Sequence, residues 1–199
     1  KWSDKKIDKL DFSMGLFVIY FGTKKKYNNI AHHTIWMGER YEGLLKDIFN
    51  RKILANDFSL YLHRPTATDK SMAPKNCDSF YVLSPVPNLK SRINWNLKGL
   101  QYRKMILDAL EKTILPNLSK NLTVCFHMSP EDFKKDYHSL YGSGFSISPI
   151  FRQSAWFRFH NKSESFDNLY FVGAGSHPGA GVPGVISSAK VLENILKNE

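Results

Sequence analysis

Acid is scarce in this chain: 18 Asp and Glu stand against 28 Lys and Arg, a formal charge of +10 over 199 residues. That balance favours anionic partners, whether nucleic acid, an anionic membrane surface or an acidic protein. The cations come in small groups between apolar segments (Lys24 to Lys26, Arg51 with Lys52, Lys134 with Lys135) rather than in one arm or stripe, so ordinary solvated faces account for most of them. Cysteine is nearly absent. Cys77 and Cys125 lie far apart with no CxxC pair and no metal spacing, which points to a reducing, cytoplasmic setting. There is no run of about 18 apolar residues and no signal peptide, so membrane attachment is expected to be peripheral and the sequons at Asn121 and Asn161 carry no weight. Internal repeats, low-complexity tracts and linkers are also missing. The chain begins at Lys1 rather than Met, which suits the remainder of something longer.

Several catalytic signatures are excluded by one or two residues. Gly173 and Gly175 would need a third glycine at 178 to complete G-x-G-x-x-G, and Pro178 stands there. Gly179 and Gly184 have phosphate-loop spacing but are followed by Val185 and Ile186 where Lys and Ser or Thr are required. There is no G-x-S-x-G elbow and no H-E-x-x-H. His32 and His33 are adjacent, so in a strand they point to opposite faces and make a poor chelate.

What is present is ample apolar material, 42% hydrophobic and 14% aromatic, enough for one good core or two small ones. Leu16 to Gly22 reads as a buried strand, and His33 to Met37, Phe58 to His63, Phe80 to Leu83 and Thr123 to Met128 as further strands, the fourth stopped by Pro85 and Pro87. Tyr41 to Leu54 carries Leu44, Leu45, Ile48 and Phe49 at helical spacing. From Asn94 to Leu115 apolar residues recur every four positions at Tyr102, Ile106, Leu110 and Ile114, and Ser129 to Phe133 has a helix start. A strand over Leu169 to Val172 and a helix from about Val185 toward Lys197 complete the reading. The expected fold is α/β with α+β character. Residues 1–160 form an antiparallel or mixed-sheet domain and residues 161–199 the corner of a nucleotide-binding unit.

Between that last strand and helix, five of the chain's twelve glycines (Gly173, Gly175, Gly179, Gly181, Gly184) fall within twelve residues. Without Cβ atoms the main chain can lie against a bulky ligand, and Pro183 with Gly184 opens a helix whose free N–H groups suit an electron-rich group. The plainer alternative is a tight packing loop. Just upstream, Phe145, Phe151, Trp156, Phe157 and Phe159 read either as core or as the wall of an apolar substrate tunnel with Arg152 and Arg158 at its margins.

In the stretches LFVIYFG, AHHTIWMGERYEGLLKDIFNRKILANDFSLYLHRPTATDKSMAPKNCDSFYVLSPVPNL, FSISPIFRQSAWFRFHN and NLYFVGAGSHPGAGVPGVISSAK, taken in order, the chain resembles the bacterial-type phytoene desaturases. These are FAD-dependent carotenoid desaturases of the amine-oxidase-like flavoprotein group. The resemblance implies a C-terminal portion only, since the family's opening βαβ unit with G-x-G-x-x-G has no counterpart here. It implies FAD contacts from Gly173, Ala174, Gly175, His177, Pro178, Gly179, Gly181, Val182, Pro183 and Gly184, and a substrate lining that includes Phe145, Phe151, Trp156 and Phe157. Its reaction would remove hydrogen from adjacent carbons of a long polyisoprenoid, with quinone or oxygen as final acceptor, a peripheral membrane location and no nucleic acid. Ser176 stands where the family has Thr, Phe159 where it has Pro before His-Asn, and Ser148 where an acid often precedes Pro. The last two bear on substrate choice and tunnel shape. The rival reading, from the residues alone, is a non-catalytic basic and aromatic module for nucleic acid or membrane lipid.

Overall fold

The structure, a computed structural model, describes residues 2–198. In chain order the elements are α1 (Asp4–Ile7), β1 (Gly15–Thr23), β2 (His33–Trp36), α2 (Tyr41–Lys46) continued by one wide turn over Asp47–Arg51, β3 (Leu60–His63), β4 (Asp78–Val86), α3 (Trp95–Thr113), α4 (Leu118–Asn121), β5 (Leu122–Met128), α5 (Pro130–Tyr137) and α6 (Val182–Lys197). The chain forms two compact units, residues 15–142 and residues 2–14 with 143–198. The boundary expected at residue 160 is therefore displaced: the stretch 143–160 groups with the Gly-rich turn.

In the unit of residues 15–142 the five strands form one antiparallel sheet in the order β2-β3-β4-β1-β5. β1 sits inside the sheet because its run is β-branched and aromatic on both faces, and Phe17, Ile19 and Phe21 are buried on one of them. Against that face α3 lays a stripe of Trp95, Tyr102, Ile106 and Leu110, with Phe17 stacked on Trp95 at 5.4 Å and Tyr102 and Ser84 sharing a 2.8 Å hydroxyl hydrogen bond. Asn94 caps the helix by accepting from Leu97 N–H, and α5 begins with a complete capping box of Ser129 and Asp132. At the other end of the core Asp78 is fully buried. It accepts from Tyr27 N–H and Thr66 hydroxyl at 2.7 Å each and pairs with buried Arg64 at 3.1 Å.

Five expectations need correction. β4 runs through Pro85 to Val86 instead of stopping, because β3 pairs with it only as far as Leu83, so no ladder partner awaits the missing N–H on that side. Of the helical face expected over 41–54, Leu44 and Ile48 are buried while Leu45 and Phe49 are exposed. The strand expected over 169–172 is one isolated bridge, Lys162 with Tyr170, and α6 begins at Val182, not near Val185. The side of α6 turned inward passes through Ser188, one position away from the expected Val185, Ala189, Leu192 and Leu196. Among the described residues no helix is long and apolar enough to cross a membrane.

Candidate functional site

The Gly-rich turn lies in the unit of residues 2–14 and 143–198, and its glycines do two different jobs. Gly173, Gly179 and Gly181 have φ of 111°, 138° and 94°, backbone that L side chains rarely adopt. A Cβ on Gly173 or Gly181 would meet nothing within 4 Å, so their main chain is bare and faces open space. At Gly184 a Cβ would come within 2.8 Å of the Gly179 carbonyl oxygen, and at Gly175 within 3.3 Å of Ser146 Oγ. These two serve close packing: Gly184 brings the first turn of α6 against the loop. The plain packing explanation thus holds for part of the turn and fails for Gly173 and Gly181.

Beneath the bare surface is a floor of buried polar side chains. Arg158, 1% exposed, donates from Nη2 to the carbonyls of Ala174 (2.8 Å) and Ile147 (3.0 Å) and from Nη1 to that of Gln153 (2.8 Å). Burial alone pulls its pKa below the ordinary arginine value, and neutral carbonyl dipoles, in place of a carboxylate, solvate the charge. With the Ala174 carbonyl drawn toward the guanidinium, the planar trans peptide turns Gly175 N–H the opposite way. Asn161, also buried, donates from Nδ2 to the carbonyls of Phe171 (3.0 Å), His177 (3.1 Å) and Ser188 (3.4 Å), tying together the approach, the turn and α6. Ser188 Oγ accepts from Gly173 N–H at 2.8 Å and donates to the Val185 carbonyl. His177 donates its N–H to the Phe159 carbonyl, while its Nδ1 is buried without a partner among the described residues.

Gly181 is the N-cap of α6, with Pro183 in the first turn and Val185 N–H making an early helical bond back to Gly181, so the preceding N–H groups and the positive dipole end border the bare main chain. Val182 in that first turn is 74% exposed. A cavity of about 460 Å³ flanks Gly175 and Ser176, with Trp2, Phe159, Phe166 and Phe171 among its walls. The set fits a flat, electron-rich ring: open glycine backbone, oriented N–H groups and apolar walls. Of the expected contacts, Gly173, Gly181, Val182 and Pro183 border the open side, whereas Ala174, Gly175, Gly179 and Gly184 form its inner framework and His177 and Pro178 the bend. The expected substrate wall is disposed differently. Phe145, Phe151, Trp156 and Phe157 are exposed, with Phe151 and Phe157 paired at 5.9 Å, and none of the four lines the cavity. Arg158, placed by sequence at a tunnel margin, is the keystone of the floor instead.

Sequence reasoning missed Asn161 and Ser188 as framework and missed a second aromatic surface. On the face of the sheet away from α3, Phe126, Tyr20, Tyr81 and His63 form a chain of rings. Tyr20 stacks on Phe126 at 5.1 Å, and His63 on Tyr81 at 4.7 Å, with Tyr61 beside both. Burial pushes the Tyr81 phenol up to about 12, so it stays protonated at neutral pH. The period-2 positions of β1, β3, β4 and β5 carried that signal.

No family model matches the chain. Among curated proteins it is 47% identical over 201 residues to a neurosporene-forming phytoene desaturase of Rhodobacter capsulatus, covering 98% of this chain and 38% of that protein. It is 46% identical to a lycopene-forming phytoene desaturase of Pantoea ananas (92% and 38%) and 32% identical to a 4,4'-diapophytoene desaturase of Methylomonas (100% and 39%). The chain therefore spans about two fifths of the length of these relatives. Among solved structures, an oxidoreductase from Methanosarcina mazei superposes on 96% of this chain and 36% of its own with a TM-score of 0.53 at 15% identity, a likeness of fold alone.

Proposed function

The chain belongs to the bacterial-type phytoene desaturases, and on that premise we propose that it is the C-terminal portion of an FAD-dependent carotenoid desaturase. The observation that carries this is the bare main chain at Gly173 and Gly181, held over a floor of buried hydrogen bonds. When bound, FAD supplies the acceptor for a hydride equivalent. The chain's own residues bind and orient: Gly173 and Gly181 offer main chain, and the start of α6 offers N–H groups and a positive dipole. Arg158 and Asn161 fix these groups from below. A polyisoprenoid has no polar handle, so its placement rests on shape and dryness, for which the aromatic surfaces described above are suited. Removing a hydride and a proton from neighbouring carbons leaves one new double bond.

Residues 169–197 would form an edge of the flavin-binding domain. α6 buries only Ser188 while Val182 and Ile186 stand 74% and 67% exposed, a face suited to cover by the larger part of a desaturase. The exposed Phe151 and Trp156, with the surplus positive charge, would seat the enzyme on the anionic membrane that dissolves its substrate, at the cytoplasmic surface, with quinone or oxygen as final acceptor. The rival reading, a non-catalytic basic module, is not favoured by relatives that are desaturases.

The test is a chimera in which this chain replaces the matching segment of the Rhodobacter capsulatus protein. The chimera should take up FAD and form coloured product from phytoene. If it takes up no flavin where the unaltered relative does, the cofactor assignment is wrong. Val182→Trp sharpens the test, because it adds bulk at an exposed helix position without the backbone strain that any side chain would bring to Gly181; FAD affinity should fall while the helix persists.

A further inference from the structure

The expectation that His32 and His33 make a poor chelate supposed that both lie in a strand, and they do not. β2 begins at His33, and His32 lies in the bend before it, so the alternation of a strand does not apply. The rings of His32 and His33 are 4.3 Å apart. His63, the cross-strand partner of His33, brings its ring within 4.6 Å of His32 and 5.2 Å of His33. One ring nitrogen from each residue lies within 4.8 Å of the other two.

Each of the three rings has a hydroxyl beside its Nδ1. Thr68 is 3.3 Å from the Pro65 carbonyl, to which it donates, leaving its oxygen to accept from His32 Nδ1–H at 2.7 Å. The Tyr61 oxygen is 2.6 Å from His33 Nδ1 and 3.2 Å from His63 Nδ1 and can accept from both. Protons held on Nδ1 leave a lone pair on Nε2 of each ring. Hydroxyls on the far nitrogen are the outer support that metal-bound histidines require.

We propose that His32, His33 and His63 form a three-histidine site for a zinc-class divalent ion, with Tyr61 and Thr68 as orienting groups. Tetrahedral coordination with Zn–N bonds near 2.0–2.1 Å sets ligand nitrogens about 3.3 Å apart, closer than the 4.8 Å within which one nitrogen of each ring now lies, so the rings must turn and close to take up the ion. His33 is exposed and the other two half-buried, which leaves a path for entry and a fourth position for water. Bound there, the ion would clamp the four-residue edge strand β2 to the end of β3.

Calorimetric titration of the full chain with Zn²⁺, repeated with Co²⁺ for its visible absorption, tests this. The expected result is one ion per chain and a tetrahedral Co²⁺ spectrum. His33→Asn, at an exposed position, should weaken Zn²⁺ binding by about tenfold or more, and Tyr61→Phe by about tenfold through loss of orientation. No heat and no Co²⁺ spectrum, or equal affinity in a His32→Asn, His33→Asn, His63→Asn triple variant that retains its circular dichroism, would overturn the proposal.

Discussion

The two units of this molecule are held together by opposite means. In residues 15–142 the interior is apolar: Phe17, Ile19, Leu62, Val82, Ile106 and Leu110 are all but sealed from water between sheet and helix. In residues 2–14 and 143–198 the buried groups are mostly polar, Arg158, Asn161, Gln153, Ser176 and Ser188 among them, with Phe12 and Ile147 the buried hydrophobic side chains among the described residues, while Phe151, Trp156, Phe166, Val182 and Ile186 face outward. A unit with hydrogen bonds inside and hydrophobic side chains outside is shaped to hold a loop still and to be covered by something apolar. The sheet body needs no such cover on its helix side.

The largest break in this contrast should come from Asp78→Ala, which strands Arg64 in the core. Removing one partner of a buried pair costs about 3–5 kcal/mol, and denaturant unfolding of residues 15–142 followed by Trp95 fluorescence should show it. A loss under about 1 kcal/mol would mean that water reaches the pair. Leu110→Ala should cost the same unit about 2–5 kcal/mol by leaving a cavity. Arg158→Leu deprives carbonyls in the turn unit of their donor at about 1–3 kcal/mol for each one left dry, partly relieved by entering water. The outcome to look for is early hydrogen exchange confined to residues 143–198; equal loosening of the sheet would contradict the contrast.

A weaker effect is expected from acid. Burial, with Arg103 close by, lowers the His127 pKa below its ordinary 6.5, so the neutral ring favours the fold. Its contribution is present above about pH 6.5 and fades as pH falls through the lower, folded value. Stability profiles of the parent and His127→Phe should diverge only on that acid side, and parallel profiles would remove His127 from the account. Smallest of all, Phe151→Ser should alter unfolding by no more than about 0.5 kcal/mol, because the ring is 84% exposed, yet it should weaken binding to anionic vesicles if that surface docks on lipid.

Much of this was legible in the sequence where period and chemistry coincide. The four-residue recurrence of Tyr102, Ile106 and Leu110 matches the buried stripe of α3, and Ser129 with its acidic followers marks the capping box of α5. The bend of main chain at Gly173 to Gly184 was likewise visible from composition. Legibility ended where long-range partners decide. Pro85 lies in a strand because of where β3 ends, His32 escapes alternation because of where β2 begins, and an arginine inside an aromatic run gives no hint that it will be buried among carbonyls. The apolar face of α6 was read one position away because Ser188, polar by type, is the residue drawn inward by Asn161 and Gly173.

Arg158 also carries a consequence for chemistry in changing surroundings. A guanidinium keeps its proton at every acidity a cell meets, so the pedestal under the loop neither tightens nor slackens as the medium sours. A lysine there would present a single point of attachment, and burial would make that point titratable. The choice of arginine thus isolates the geometry of the turn from changes in the acidity around it.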